Sequence, residues 1–243
     1  MLTFETINEL TLKVTSTGND ILFTKAGAYI AGDCPGNTNY RFEKVLLGPQ
    51  SNLAQAVFGS IARRVTGENI PLMKVTMSGN SETYYACNAQ HVLVYKLGIG
   101  EVISVESENI LAFTQDCKYS VRFIGVGVLS QKGLATSTLT GEGSNAYVAI
   151  LIDGNPIVLS NVQTGSTLAV DPDAVVCWMG NGYCDPDIKM DVNWKTFIGQ
   201  TSGESYSFEW NARQPVTVII QPNERASGIS LGMDGGRLGH RPN

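Results

Sequence analysis

The chain contains 243 residues, of which 43% are hydrophobic, and this length allows one large β domain or two small ones with a substantial core. Charged residues make up only 16% of the chain while glycine occurs 26 times, a composition that favours a turn-rich β-protein over a helical one. A net charge of −5 argues against a nucleic-acid-binding surface, which depends on clustered Lys and Arg.

The cysteine pattern and the N-terminal residues both indicate a cytoplasmic protein. Residues 1–5 show no basic segment followed by an apolar run, as a signal peptide would. No apolar stretch approaches the ~20 residues that a transmembrane helix needs. The cysteines are odd in number and irregularly spaced, so reduced and buried thiols are expected rather than a disulfide framework, at Cys34, Cys87, Cys117, Cys177 and Cys184.

The first part of the chain combines strand patterns with the one predicted helix. Leu10–Val14 alternates polar and apolar residues, and after a turn at 18–20 the β pattern resumes. Residues 32–39 favour a loop because they are rich in Gly, Asn and Pro. Apolar residues at three- and four-residue spacing predict a short helix over 52–64, which would cover a sheet surface or pack at a subunit contact.

From Ile70 onward, strand patterns follow one another almost without interruption. The glycine-rich tail, residues 226–243, is predicted to be an extended arm or partly disordered. The fold class is therefore all-β with one short helix. Strands are predicted at 72–77, 83–87, 92–97, 102–105, 110–114 and 118–123, with further blocks over 146–179 and 196–221.

The strands belong to a unit that recurs along the chain. Residues 100–113 align without a gap on residues 165–178, at an offset of 65 (165 − 100), with an acidic residue and an aromatic residue in register. A weaker copy lies over residues 10–30. A period of roughly 65–80 residues suits a β-roll or β-sandwich unit repeated in series. We expect a single domain over 1–243 built of about three units, approximately 1–75, 76–138 and 139–225, followed by the tail.

Several short segments resemble one protein family. They are the runs Trp194–Trp210 and Val218–Arg225, the corner at 26–28, the Gly67-Glu68 lead into a strand, and Leu139–Gly143. Together with the repeat, they resemble the altered-inheritance-of-mitochondria proteins of the Aim twenty-four type over most of the chain, and in particular the uncharacterised bacterial members.

The resemblance implies a fold and only a general role. The fold would be similar to that of the tryptophan RNA-binding attenuation protein, which is a double-stranded β-helix-like or sandwich arrangement of duplicated units. Mitochondrial members of the family are implicated in inner-membrane organisation, while bacterial members have no assigned activity. The resemblance supplies no catalytic residues, and the attenuation protein's tryptophan and RNA sites are not carried over because fold does not determine function.

The cysteine and aspartate motifs each favour a structural role. Cys177 and Cys184 have no nearby His and no CxxC spacing, so two buried thiols on adjacent strands are expected rather than a metal site. The two Asp-Pro-Asp motifs, 171–173 and 185–187, predict turns in which Asp accepts backbone N–H bonds, because the longer ligand pattern of a calcium loop is missing.

The remaining candidate residues also lack the context that chemistry would need. No nucleophile motif accompanies His91 or His240. The sequence does not exclude a pair of carboxylates like that of a glycosidase, because spatial pairing is not visible in a sequence. The glycine-rich segments 141–143 and 232–236 predict turns rather than phosphate loops. An alternating aromatic group is expected in the core rather than on a binding face, at Trp194, Phe197, Tyr206, Phe208 and Trp210.

These observations favour a non-enzymatic, all-β scaffold or interaction protein that forms homo-oligomers, because open sheet edges with modest surface charge tend to be closed by partners. The alternative is a small-ligand-binding β-roll with a pocket between its sheets. An enzyme, which would need clustered titratable groups in a cleft, is the least favoured hypothesis. No catalytic residue, cofactor or metal ligand is assigned from the sequence, and neither nucleic acid nor an integral membrane segment is expected.

Overall fold

The computed structural model describes residues 1–33, 39–45, 72–124, 134–190 and 206–222. Within these ranges the chain consists of β-strands, loops and two short 3-10 turns, which confirms the predicted all-β class. No helix in the described ranges has the length and apolar character needed to cross a bilayer. The helix predicted over 52–64 and the tail over 226–243 lie outside the described residues.

The described strands are numbered in chain order. They are β1 (Leu2–Thr6), β2 (Leu12–Thr17), β3 (Asp20–Lys25), β4 (Tyr29–Asp33), β5 (Asn39–Val45), β6 (Leu72–Ser78), β7 (Asn80–Tyr85), β8 (His91–Lys96), β9 (Glu101–Val105), β10 (Ile110–Thr114), β11 (Cys117–Ile124), β12 (Leu134–Gly141), β13 (Tyr147–Ile152), β14 (Ile157–Ser160), β15 (Leu168–Val170), β16 (Val175–Asn181), β17 (Asp187–Met190), β18 (Tyr206–Trp210) and β19 (Thr217–Ile220). The 3-10 turns are Ser107–Asn109 and Pro172–Ala174.

The loop prediction over 32–39 is wrong at both of its ends, and its middle, residues 34–38, lies outside the described residues. Gly32 and Asp33 belong to β4, where they pair with Thr83 and Glu82 of β7, and Asn39 begins β5. The prediction failed at these positions because backbone hydrogen bonds to a neighbouring strand outweigh the turn preference of Gly and Asp.

The strands form four antiparallel sheets. Sheet 1 has the order β1-β2-β7-β4, and sheet 4 has the order β15-β18-β17. Between them are two six-stranded sheets: sheet 2, with the order β5-β6-β3-β10-β13-β8, and sheet 3, with the order β11-β12-β9-β16-β19-β14.

One six-strand pairing pattern occurs three times in these sheets. We call β2–β7 unit 1, β8–β13 unit 2 and β14–β19 unit 3. In every unit the first, sixth and third strands pair in that order, and the second, fifth and fourth strands pair in that order. The unit bounds predicted at 75/76 and 138/139 fall inside β6 and β12, so the strand pattern is counted from β2, β8 and β14 instead.

A turn closed by an equivalent backbone hydrogen bond links the second and third strands of each unit. The turn is closed by a backbone hydrogen bond from Ala28 N to Lys25 O in unit 1, from Asn109 N to Glu106 O in unit 2, and from Ala174 N to Asp171 O in unit 3. Directly after each turn the third strand carries a register shift in its pairing with the sixth strand. A β-bulge bends a strand, so this corner carries the chain from one sheet of a unit to the other.

Adjacent units are joined by one repeated contact. The second strand of unit 1, β3, pairs with the third strand of unit 2, β10, and β9 of unit 2 pairs in the same way with β16 of unit 3. The registers are equivalent, since Thr24 faces Ala112 at the first junction and Val105 faces Cys177 at the second. Each junction thereby fuses two three-stranded halves into a six-stranded sheet.

The described residues form three hydrophobic cores. The first core includes Leu12 of sheet 1 and Leu111 of sheet 2, and the second includes Ile150 of sheet 2 and Ile103 of sheet 3. The third core includes Val218 of sheet 3 and Trp210 of sheet 4. Because sheet 2 contributes to two cores, its central strands β10 and β13 are buried on both faces, which accounts for their continuous apolar runs.

We expect Ile150→Ala to lower the free energy of unfolding by about 2–5 kcal/mol, because the fully buried side chain would leave a cavity in the second core. Ile157→Ala is the matched control, since Ile157 is largely exposed on β14; its effect should stay within about 0.5 kcal/mol. Urea denaturation followed by tryptophan fluorescence measures both variants. Equal destabilisation of the two would contradict the core assignment.

Candidate functional site

His91 lies at the start of β8 beside an open cleft. The cleft has a volume of about 780 Å³ and is lined by residues around Thr6–Glu9, by the first residues of β8 and by Asn155 and Pro156. His91 Nε2 is 3.6 Å from a Glu9 carboxylate oxygen, while His91 Nδ1 is buried without a hydrogen-bond partner. The cleft therefore has a mixed polar and apolar lining that includes His91. His240 lies outside the described residues.

Cys177 and Cys184 lie in different hydrophobic cores. Cys177 lies on β16 within the second core, whereas Cys184 lies in the segment before β17 within the third core. Burial raises the pKa of both thiols, and for Cys184 the nearby Asp185 adds to the increase. Both are buried, as predicted, but Cys184 is not on a strand. No group of three or more potential metal ligands occurs among the described residues.

The two Asp-Pro-Asp motifs have different roles. At the first, Asp171 Oδ1 accepts a hydrogen bond of 2.9 Å from Asp173 N, which confirms the predicted turn. At the second, Asp185 forms an ion pair of 2.8 Å with Arg122 of β11, and Asp187 begins β17, so the turn prediction is wrong there. The guanidinium of Arg122 also lies 3.6 Å from the ring centroid of Tyr183, so the pair holds this segment against unit 2.

The described members of the aromatic group lie in the core, as predicted. Phe208 and Trp210 pack with Trp178 in the third core, with ring centroids 5.8–6.4 Å apart. Trp210 Nε1 donates a hydrogen bond of 2.8 Å to Cys184 O, which satisfies its buried polar group. Trp194, Phe197 and the side chain of Tyr206 lie outside the described residues.

Of the two glycine-rich segments, only 141–143 lies among the described residues. Gly141 ends β12, and a side chain there would collide with Gly98 O, while one at Gly143 would collide with the Asp116 carboxylate. The Asp116 carboxylate accepts a hydrogen bond from Asn145 N, so these glycines permit a tight turn, as predicted. The segment 232–236 lies outside the described residues.

The largest pKa shifts occur at buried tyrosine and cysteine side chains. Desolvation raises the pKa of Cys117 to about 11 and also raises the pKa of Cys177, Tyr85 and Tyr95. Cys117, Cys177 and Tyr85 are members of the hydrophobic cores, and Tyr95 packs against one of them. Packing, rather than a cluster of charges in a cleft, therefore explains these shifts.

The third strand of unit 1 is exposed where its counterparts are buried. The third strands β10 and β16 form the junctions between units, whereas β4 ends sheet 1 and is exposed from Ile30 to Asp33. The Ile30 side chain is 56% exposed, while its counterparts by position after the corner, Leu111 and Val176, are 0% exposed. At this edge an apolar side chain is thus exposed, whereas the equivalent side chains of units 2 and 3 are buried.

The second strand of unit 3 shows the complementary feature at the other end. β9 forms a junction and is buried from Val102 to Val105. Its counterpart β15 ends sheet 4, with Ala169 exposed and Leu168 half-buried. Two of the described edge strands, β4 and β15, therefore each correspond to one side of a junction that occurs twice inside the chain.

Only a partial signal for these edges is present in the sequence. The alignment of 100–113 on 165–178 covers the corners of units 2 and 3, but the corner of unit 1 contains Ala26-Gly27-Ala28 in place of an acidic turn. Aligning the unit 1 corner would have marked Ile30 as the counterpart of Leu111, but the apolar pattern there is short. Which strand of a repeat lies at an edge depends on pairing, and pairing between strands is not visible in one sequence.

Comparisons with known proteins define the family and the fold. The sequence pattern of the family described as mitochondrial biogenesis AIM24 matches residues 4–223. No curated protein matches the chain. A structural genomics target from Streptococcus pyogenes, solved by X-ray crystallography, is similar in fold, with a TM-score of 0.62 and 16% identity over 92% of this chain and 94% of that one.

We expect Cys117 and Cys177 to react with iodoacetamide at least about tenfold more slowly than the half-exposed Cys87 at pH 8, because the thiolate is the reactive form and burial disfavours it. Peptide mass spectrometry of the alkylated protein measures each site. The control is labelling in urea, where the differences should disappear. Equal rates in the folded protein would show that these thiols are accessible.

Proposed function

We propose that this chain, which belongs to the mitochondrial biogenesis AIM24 family, is a non-enzymatic scaffold that assembles with copies of itself through its β-rich units. The observation that supports this most strongly is the pair of exposed sheet edges, β4 and β15, whose counterparts inside the chain are buried in junctions. A sheet edge with unpaired backbone groups and apolar side chains favours pairing with another strand.

The positions of the described groups with strongly shifted pKa values support a structural rather than a catalytic role. Catalytic acids and bases have pKa values tuned in a cleft by burial and by neighbouring charges. In this protein the large shifts belong to core side chains such as Cys117 and Tyr85 and are caused mainly by desolvation. A net charge of −5 and a pI of about 5.1 likewise favour protein partners over nucleic acid.

We further propose a bacterial, cytoplasmic protein whose repeated unit is of the kind found in the tryptophan RNA-binding attenuation protein. Four of the cysteines, Cys87, Cys117, Cys177 and Cys184, carry free thiols, as a reducing compartment would maintain. The fold similarity to a Streptococcus pyogenes protein is consistent with a bacterial origin. These features support the location and origin and do not bear on activity.

The cleft beside His91 favours small-ligand binding as a second candidate function. Its lining combines the apolar residues Ile7 and Val92 with the polar residues Asn8 and Asn155, and the buried His91 Nδ1 has no hydrogen-bond partner. A few polar groups within an apolar lining are typical of ligand sites.

A thermal-shift screen with small carboxylates, sugars and nucleosides tests the cleft. A ligand that binds there should raise the melting temperature of the wild-type protein and should not raise that of His91→Ala. The control is Lys118→Ala on β11, which should keep the shift. A screen without any shift, or a shift that His91→Ala retains, would exclude the cleft as the binding site of these classes.

We expect light scattering to give a mass above the 26.1 kDa of one chain, at a multiple of that value, when the protein is studied at micromolar concentration. The mass should fall toward 26.1 kDa on dilution, because association between separate chains depends on concentration. Size-exclusion chromatography with multi-angle light scattering from about 1 to 100 μM measures this. A constant mass of one chain over the whole range would refute self-assembly.

A further inference from the structure

We propose that β15 of one copy pairs antiparallel with β4 of a second copy, in the register of the two junctions inside the chain. This inference rests on the proposed self-assembly and goes beyond it by naming the two strands, their direction and their residue pairs. The partner is a second copy of this chain, and the contact is head-to-tail because different surfaces meet.

Equivalent residues at the internal junctions define the register. At the junctions, Ala112 faces Thr24 and Cys177 faces Val105. Counted from the corner of each unit, the position of Ala112 and Cys177 is occupied by Ala31 in unit 1. The position of Thr24 and Val105 is occupied in unit 3 by Val170. The pairs across the proposed contact are therefore Ala31 with Val170, Gly32 with Ala169, and Asp33 with Leu168.

Sheet order supports the same pairing. Both six-stranded sheets consist of the fourth, fifth and second strands of one unit followed by the third, sixth and first strands of the next. Sheet 4 contains the first half of this arrangement in unit 3, and sheet 1 contains the second half in unit 1, with β1 added. Joining β15 to β4 of a second copy would complete a sheet of the same order as the two within the chain.

Ile30 would be covered by this pairing. Its counterpart Leu111 belongs to the first core, which contains side chains of unit 1, and Val176 belongs to the second core, which contains side chains of unit 2. In each case this position packs on the preceding unit. By the same geometry, Ile30 would pack on the third core of the second copy, whose members include Phe208 and Val170. The side chain that is exposed in one chain would thus gain an apolar environment.

The charge on the sheet edges distinguishes β15 from most of the other edge strands. The edge strands β5, β11 and β17 carry charged side chains, a feature that discourages pairing with other strands. β15 has the sequence Leu-Ala-Val and carries no charge, and β4 carries only Asp33. The edge strand β14 also lacks charge and exposes Ile157 and Val158, so it is the rival surface that an experiment must separate from β4.

Three lysine substitutions at exposed apolar positions separate these surfaces. Ile30→Lys places a charge in the proposed contact, Val158→Lys places one on β14, and Ile99→Lys is the matched control in a turn, where the side chain is 80% exposed. Sedimentation velocity measures association, and circular dichroism verifies that each variant keeps its β signal. We expect Ile30→Lys to weaken association at least about tenfold, because a charge in an apolar contact is strongly disfavoured, while Ile99→Lys and Val158→Lys associate like the wild type.

The outcomes distinguish this inference from the general proposal of self-assembly. If Ile30→Lys associates like the wild type while Val158→Lys does not, the chain assembles through β14 and the β4–β15 pairing is refuted. If wild type and all variants are single chains, both proposals are refuted. Loss of association in Ile99→Lys as well would show a general charge effect and would remove the support for β4.

Disulfide cross-linking tests the register directly. Asp33→Cys in one chain and Leu168→Cys in another should form a dimer linked by a disulfide after mild oxidation, because directly paired residues have Cβ atoms about 4.5–5.5 Å apart. All chains carry Cys34→Ser so that the neighbouring thiol does not compete. The control mixture replaces Leu168→Cys with Ile99→Cys and should give no such dimer.

The same cysteines in one chain reveal whether the contact is between copies. The double variant Asp33→Cys/Leu168→Cys should give dimers and higher species on a non-reducing gel, since each chain would offer both edges. A cross-link confined within single chains would refute the second copy as the partner. Equal cross-linking in the Ile99→Cys control mixture would refute the register.

Discussion

The structure depends on the pairing of the second strand of one unit with the third strand of the next. The contacts β3–β10 and β9–β16 convert separate three-stranded halves into six-stranded sheets, and these sheets then separate the three cores. The third strands at these junctions, β10 and β16, have a core on each face, so they contain continuous buried apolar runs such as Ile110–Phe113. They therefore differ in sequence from β2, which alternates because it faces one core.

The corner before each third strand makes this pairing possible, and its closing backbone hydrogen bond is retained while the conformation and chemistry of the turn change. In unit 3 the side chain of Asp171 caps the turn, whereas in unit 1 Gly27 adopts a positive φ of 83°. Both solutions place the same backbone hydrogen bond across the turn. Glycine reaches this conformation without strain, and an acidic side chain stabilises a turn by accepting backbone N–H groups, so two different turns can close with the same hydrogen bond.

The sequence predicted the class of fold and the centre of the repeat but not the ends of the sheets. Alternation and apolar runs are local, so the strands around residues 92–114 were predictable, and the acidic corner shared by units 2 and 3 identified the repeat.

Gly32 shows why unit 1 was harder to recognise. It lies at the position of Phe113 and Trp178, and the hydroxyl groups of Tyr29 and Tyr40 occupy the space that a side chain there would need. The first unit thus fills this space with tyrosines from β4 and β5 rather than with an aromatic residue at this position, and an alignment by residue type misses the exchange. The thiols and the aromatic pair Phe208 and Trp210 were predictable as core residues because large apolar groups rarely stay exposed. The partnership of Asp185 with Arg122 joins distant strands, and nothing in the local sequence indicates it.

The exposed apolar residues at the two ends follow from how the repeat terminates. β1 packs beside β8 and β13 and covers the outer face of unit 2, and unit 3 has no equivalent strand among the described residues. Repeat proteins that exist as single chains need terminal units with polar outer faces, because interior units bury apolar surface against their neighbours. The terminal strands β4 and β15 instead keep the apolar character of interior strands, with Ile30 at one edge and Leu168 at the other. Among the described residues these two edges are thus built like the interior junctions, and the proposed association of copies would supply the neighbours that they lack.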